Sequence, residues 1–219
     1  MARAKVSTLV LTSNKIFPNN PEKFRGSVAA KYLSNPLFHQ HLQNNTLVYR
    51  YPLIHYLIVH QKAIIFGIQA GADEVSKLFN ELEEITIGSE KYTILDKQLD
   101  ITNHVFAVTD SPQCYYFITP WLALNSANFL KYNEANWIMR KELLSRILVG
   151  NILSAAKGLD IQITQKLMVE IKYVKPVICN LKSSPLLGFY GHFKVNFDLP
   201  PLFSIGKSVS RGFGAILKG

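Results

Sequence analysis

The sequence predicts an α+β fold. Three observations carry that expectation: runs rich in Val, Ile, Leu and Tyr have strand length, segments of helical periodicity fall between them, and clusters of Pro, Asn, Ser and Gly separate the two. Lys5 to Thr12 mixes β-branched residues with Leu and reads as a strand, and Asn14 to Pro21, rich in Asn and Pro, reads as a loop. Pro21 suits the first turn of a helix in which Phe24, Val28, Tyr32 and Leu33 recur at helical spacing, until Ser34, Asn35 and Pro36 stop it. Thr46 to Val59 and Lys62 to Gln69 read as the two strands of a hairpin that reverses at His60 and Gln61. Asp73 to Glu84 puts Val75, Leu78, Phe79 and Leu82 on one helical face, and Thr86 to Leu95 returns as a strand around Gly88. The order βαββαβ is that of a ferredoxin-like unit and closes near residue 100.

A second strand-rich segment begins there. Ile101 to Thr109 and Cys114 to Thr119 read as strands, and Leu122 to Tyr132 and Trp137 to Lys157 as helices. The longer helix carries Leu144, Leu148 and Ile152 at i, i+4 and i+8, and Gly158 ends it. Ile161 to Val174, Leu186 to Phe197 and Gly212 to Leu217 read as three further strands. The expected organisation is two α+β domains, 1–98 and 99–219. The chain's 219 residues allow about 100 each.

Composition narrows the function. A chain that is 48% hydrophobic and 18% charged has a globular profile, which excludes wholesale disorder. Lys and Arg number 24 against 15 Asp and Glu, a net charge of +9 that favours nucleic acid or an anionic membrane surface. Lys166 to Gly219 holds eight Lys or Arg against Glu170 and Asp198, so the basic character is mostly carboxy-terminal. No apolar run approaches the roughly 18 to 20 residues of a membrane helix, and no export signal follows Arg3 and Lys5. With Cys114 and Cys179 its only cysteines, the chain is expected to be cytoplasmic, with two reduced thiols and neither metal nor cofactor.

Two constellations could carry chemistry. The first is Leu37-Phe38-His39-Gln40-His41 followed by Tyr49-Arg50-Tyr51-Pro52. Histidines two apart diverge on a helix but share a side of an extended segment, and Pro36 with the breakers before it favours the extended form. Both imidazoles then face one scissile bond. RNA cleavage by the substrate's own 2′-hydroxyl needs a base for that proton and an acid for the departing 5′-oxygen, and imidazole serves as either near neutral pH without a metal. Two polar loop histidines without a role fit the same spacing. A zinc site completed by His55, His60 or His104 is a third reading, weakened by the absence of Cys, Asp or Glu beside the pair. His55, His60 and His104 lie in β-rich text and read as sheet or turn residues.

The second constellation is the run Ile205-Gly206-Lys207-Ser208-Val209-Ser210-Arg211-Gly212-Phe213-Gly214. Glycines let backbone approach a ligand, exposed N–H groups form an anion nest, and Lys207 and Arg211 supply charge for phosphates. A glycine-rich turn between two strands is the other, lesser reading of the run in isolation. A nucleotide-binding P-loop is excluded, because its first glycine would fall at Pro201. Tyr115-Tyr116-Phe117 and Phe189-Tyr190 with Phe193 and Phe197 alternate as core strands do.

Together these features resemble the CRISPR repeat-processing endoribonucleases of Cas family six, in their b branch. The resemblance rests on Phe24-Arg25-Gly26 through His39-Gln40-His41, on Tyr49-Arg50-Tyr51-Pro52-Leu53-Ile54, on Ile68-Gln69-Ala70-Gly71-Ala72, and on Gly206 followed after five residues by Gly212-Phe213-Gly214. It spans most of the chain and implies tandem ferredoxin-like, RNA-recognition-like domains. It further implies metal-independent cleavage of precursor CRISPR RNA within the repeat, leaving a 5′-hydroxyl and a 2′,3′-cyclic or 3′-phosphate. By position, His39 and His41 are the expected base and acid, in either order, and Tyr49 orients the phosphate or a histidine. Gly206, Lys207, Ser208, Ser210, Arg211, Gly212 and Gly214 are the expected RNA-binding residues. A further catalytic lysine or serine varies in position within the family; Lys31, Arg25 and Arg50 are open to that part. CRISPR repeat RNA is the implied partner, with other effector-complex proteins and a second copy of the chain left open and no membrane. A non-cleaving RNA-binding subunit of the same fold is the alternative.

Overall fold

The computed structural model describes residues 1–39, 51–182 and 184–219. They form two compact units, Arg3–His104 with Val209–Gly212, and Met1–Ala2 with Val105–Ser208 and Phe213–Gly219.

The first unit contains β1 (Ala2–Ser13), α1 (Pro21–Lys31), α2 (Pro36–His39), β2 (Ile54–Val59), β3 (Lys62–Ile68), α3 (Ala70–Glu81), β4 (Glu84–Ile87) and β5 (Glu90–Phe106), whose last two residues belong to the second. Its sheet runs β2-β3-β1-β5-β4. The first four places are the ferredoxin-like order, with β5 as the closing strand. Alternation along β1 sends Leu9 and Leu11 into the core, where they meet Tyr56 and Ile58 of β2, Ile65 of β3, Phe24 and Val28 of α1, and Val75 and Leu78 of α3. Ser7 shares this buried face and donates from Oγ to the Ala72 carbonyl of α3 at 2.8 Å, which pins helix to sheet. The hairpin reverses at His60 and Gln61 as expected, both with positive φ (46° and 65°), the geometry whose twist matches its flanking strands.

The strand expected from Thr46 begins at Ile54, its residues 46–50 lying outside the described ones, and the helix expected over Asp73 to Glu84 spans Ala70–Glu81; three further expectations are overturned in kind. The strand expected around Gly88 is two strands, because Gly88 (φ 68°) turns the chain back and pairs Ile87 with Glu90. The strand break expected near residue 100 does not occur. Residues 96–104 of β5 are largely exposed, so their polar text reads as interruption while the backbone continues. The extended backbone expected after Pro36 is a helical turn: the Asn35 side chain accepts from Leu37 N–H (3.1 Å), and Pro36 sits where its missing donor costs nothing.

The second unit holds β6 (Val108–Phe117), α4 (Ser126–Glu134), α5 (Trp137–Gly158), β7 (Val169–Leu181), β8 (Ser184–Phe197) and β9 (Ile216–Lys218), in sheet order β7-β8-β6-β9. That is again the ferredoxin-like order, but between β8 and β9 the chain runs through the glycine-rich segment in place of a second helix, and the 3₁₀ turn of that segment, Val209–Arg211, belongs to the first unit. Leu144, Leu148 and Ile152 of α5 are all buried, as their spacing predicts, and α5 packs on β7. The helix expected from Leu122 starts four residues later. Trp121 is bridged to Phe189 by two backbone hydrogen bonds, and Asn125 caps α4 by accepting from Asn128 N–H. The strand expected from Ile161 begins at Val169 and runs on through Pro176, tolerated because β7 is a sheet edge. Helices, sheets and strand order make the molecule α+β, as expected. No helix among the described residues is long and apolar enough to cross a membrane.

Candidate functional site

His39 closes α2 and is half-buried. Its Nε2 lies 3.1 Å from the Tyr32 carbonyl, the last turn of chain beyond α1. A carbonyl only accepts, so Nε2 carries the proton. Arg25 of α1 donates from Nη2 to the His39 carbonyl at 3.0 Å. Beneath the pair, the Tyr32 ring stacks on the buried Phe38 at 4.7 Å and its hydroxyl donates to Glu81 at 2.8 Å. α1 is itself anchored by Asn20, whose side chain accepts from Lys23 N–H at 3.0 Å.

The surroundings of Arg25 are mixed in charge. Burial lowers its guanidinium pKa, Tyr56 opposes that shift, Arg211 adds to it and Glu22 opposes it. Tyr56 is fully buried, and burial pushes its phenol up, with Arg25 pulling the other way. The Tyr56 hydroxyl and Arg25 Nε find no hydrogen-bond partner among the described residues. Glu22 faces Arg211 at 3.7 Å. Lys31 points elsewhere, donating from Nζ to the Glu84 carbonyl at 2.6 Å. His41, Tyr49 and Arg50 lie outside the described residues.

The glycine-rich segment spends its glycines on protein contacts. Gly206 (φ 104°) lies against Trp121, where a Cβ would come within 2.7 Å of the indole, and at Gly214 (φ 74°) a Cβ would come within 2.0 Å of the Ile205 carbonyl oxygen. Gly212 packs on Pro21, and Ser210, Gly212 and Gly214 are all buried. Lys207 is the exposed residue of the run; its N–H donates to Leu122 O at 3.2 Å and its Nζ to Leu124 O at 2.7 Å. Partial burial lowers its ammonium pKa. Ser208 has positive φ (57°), and Arg211 is half-buried in the 3₁₀ turn.

His55 is a core residue. It is fully buried, stacks on Phe66 at 5.3 Å and donates from Nε2 to the Pro52 carbonyl at 3.0 Å. Burial pushes its pKa down to about 4, against the raising effect of the Pro52 bond. A histidine held neutral when folded binds fewer protons than the unfolded chain, whose value is about 6.5. Its contribution is intact above that value and is lost as pH falls toward 4, on the order of 3 kcal/mol across the window. Urea denaturation of His55→Phe is expected to lose that part of the acid dependence. An unchanged slope between pH 6.5 and about 4 would contradict it. Among the described residues no group of three or more His, Cys, Asp or Glu is placed to hold a metal.

Residues 3–105 match the model of the Cas6b N-terminal domain and residues 107–219 that of the Cas6b C-terminal domain. The chain belongs to the Cas6b family. A crystal structure of Cas6b superposes on it with a TM-score of 0.90 at 33% identity, covering both chains completely. The crystal structure of the CRISPR RNA processing endoribonuclease Cas6b superposes at 0.78 with 31% identity, over 99% of this chain and 100% of that one. The uncharacterized protein MJ0978 of Methanocaldococcus jannaschii is 35% identical over 144 residues, 66% of this chain and 98% of its own length. A Cas6 of CRISPR type IV, at 13% identity and a TM-score of 0.68, shares the fold. The family explains the paired ferredoxin-like sheets.

Sequence reasoning named Arg25 only as a residue open to a catalytic part and passed over Tyr32 and Tyr56. Tyr32 meets the His39 ring through a main-chain carbonyl, which leaves no residue-type signal. Tyr56 reads as an ordinary apolar strand residue until its buried hydroxyl is seen.

Proposed function

We propose that this Cas6b chain cleaves precursor CRISPR RNA within the repeat, through attack of the substrate's 2′-hydroxyl on the adjacent phosphorus. The observation that carries the reading is His39: a half-buried imidazole held at 3.1 Å by the Tyr32 carbonyl, in a chain 31% identical to a CRISPR RNA processing endoribonuclease of the same fold. His39 and His41 share the base and acid parts, Tyr49 orients the phosphate or a histidine, and imidazoles supply both protons' traffic without a metal. The products are a 5′-hydroxyl and a 2′,3′-cyclic phosphate. Lys207 and Arg211 hold the RNA backbone by charge. Ser208 borders them, while Gly206, Ser210, Gly212 and Gly214 shape the loop from within.

Incubation with end-labelled repeat RNA in EDTA tests this. Cleavage is expected to survive the chelator, and to disappear with the His39→Ala/His41→Ala double variant or a single 2′-deoxy substitution at the cut. Tight binding of repeat RNA with no cut would favour the non-cleaving RNA-binding subunit instead.

The charge assignment has its own readout. Lys207→Ala with Arg211→Ala is expected to weaken RNA affinity and to reduce the slope of log affinity against log salt by about 1.4, two phosphate contacts at roughly 0.7 each for single strands. Titrations at several salt concentrations giving parallel lines for variant and wild type would remove the loop from the interface.

A further inference from the structure

Resting on the RNA-binding reading of Lys207 above, we propose that the cleft between α4 and the β7–β8 hairpin holds one unpaired nucleotide of the repeat, its base against Phe129 and its phosphate on Lys207. The cleft lies within the second unit. Asn125 caps α4, accepting from Asn128 N–H at 2.7 Å, and so sets Ser126, Phe129, Leu130 and Asn133 at i, i+3, i+4 and i+7 along one side of the helix. That side is not the one α4 buries. Tyr132 is its buried residue, packed on Phe189 at 5.3 Å, whereas Phe129 is 41% exposed and Leu130 63%.

The other wall is built from strand. Ile178 of β7 and Leu187 of β8 are register partners toward the end of their hairpin, both line the cleft, and Ile178 is 68% exposed. Leu122 and Leu124, from the chain that leads into α4, also line it. The space between the walls is about 710 Å³, within the roughly 300–1,000 Å³ of clefts that take small ligands.

The chemistry of the lining selects the occupant. Among the described residues Lys207 is the charged side chain that lines the cleft, a cation with no carboxylate beside it in the lining, so the charge it complements is an anion's. Its place is fixed, because its N–H donates to Leu122 O and its Nζ to Leu124 O at 2.7 Å, the carbonyls of two lining residues. One of three ammonium donors goes to Leu124, and the others remain for phosphate oxygens. The Phe129 ring and the aliphatic walls take a flat apolar body, and the Ser126 hydroxyl and Asn133 carboxamide offer hydrogen bonds to a polar edge. An unpaired nucleotide brings all three, a phosphate, a ring with two π faces and a polar rim, and a side chain stacked on one face tolerates any base.

Affinity for repeat RNA carrying a 2′-deoxy substitution at the cut, measured in EDTA, reads the cleft without the chemistry. Phe129→Ala is expected to weaken binding roughly 5- to 150-fold, the range of one lost base stack, and to leave the slope of log affinity against log salt unchanged, because stacking releases no counterions. Lys207→Ala is expected to lower that slope by about 0.7. Phe129→Trp, which keeps a ring, is expected to retain the affinity that Phe129→Leu loses. Ile178→Ser, exposed on the other wall, repeats the test without touching α4 and is expected to weaken binding as well. In a series of repeats with a single abasic residue, one is expected to bind wild type as weakly as Phe129→Ala binds intact RNA, with no further loss when the two are combined. Losses that add at every position overturn the base contact. Full affinity of Phe129→Ala and Ile178→Ser for an RNA that wild type binds and cuts overturns this inference alone, and leaves the cleft to a protein partner. A wild-type protein that binds no repeat RNA overturns the nuclease reading and this inference with it.

Discussion

His39→Ala slows cleavage of bound repeat RNA by about 10²–10⁴-fold while leaving RNA affinity near the wild-type level; this is the expected result of single-turnover assays at saturating protein. The size follows from the part the ring plays. A group that gives or takes a proton in the step lowers the barrier only in the transition state, so its loss appears in the rate and not in ground-state binding. The fold should survive the substitution. The ring is half-buried and, among the described residues, makes a hydrogen bond to the Tyr32 carbonyl, whose loss costs about 1 kcal/mol. Phe38 and the Tyr32 stack, which carry the packing of α2, are untouched. A variant with wild-type turnover would remove His39 from the chemistry, and one that neither binds nor melts cooperatively would show its role to be structural.

How much of this was legible in sequence varies with the kind of signal. The ferredoxin-like order of the first unit was readable because its strands are short apolar runs set apart by polar and turn residues: Ile54, Tyr56 and Ile58, and Ala63 and Ile65, enter one core, while β2 and β3 are buried on both faces. The His60-Gln61 reversal was readable because two polar residues interrupt two apolar runs. Gly88 was visible as a glycine, but whether it bends a strand or reverses it depends on the partner that Glu90 finds across the turn. Pro36 carried a misleading sign. The same ring that stops one helix opens the next when an Asn precedes it, and the choice turned on the Asn35 side chain. The site was legible as residue types and not as geometry. The histidine stood out in sequence, whereas its tautomer depends on a main-chain oxygen seven residues earlier. The glycine-rich segment was legible as special, with its reason partly misplaced: Gly206 and Gly214 yield space to an indole and a carbonyl of the same unit.

The second large effect comes from that indole. Trp121→Ala is expected to destabilise the second unit by about 3–5 kcal/mol, measured by chemical denaturation. Trp121 has no exposed surface, lies parallel to Phe117 at 5.2 Å, and donates from Nε1 to Asn151 at 3.0 Å. Truncation leaves a cavity among Phe117, Phe189 and Gly206 and an unpaired amide on α5. Trp121→Phe keeps most of the packing and forfeits the hydrogen bond, so its cost should be about 1–3 kcal/mol. The difference between the two variants separates volume from polarity. Gly206 ties this core position to the surface proposed to bind RNA, because its backbone rests on the indole and the next residue, Lys207, hangs from the carbonyls of Leu122 and Leu124. Loss of the indole removes the floor under that lysine. Trp121→Ala should therefore weaken RNA binding while RNA once bound is cut at the wild-type rate, since His39 is held from α1 in the other unit. A Trp121→Ala protein with full affinity would mean that the lysine's position does not depend on the core beneath it.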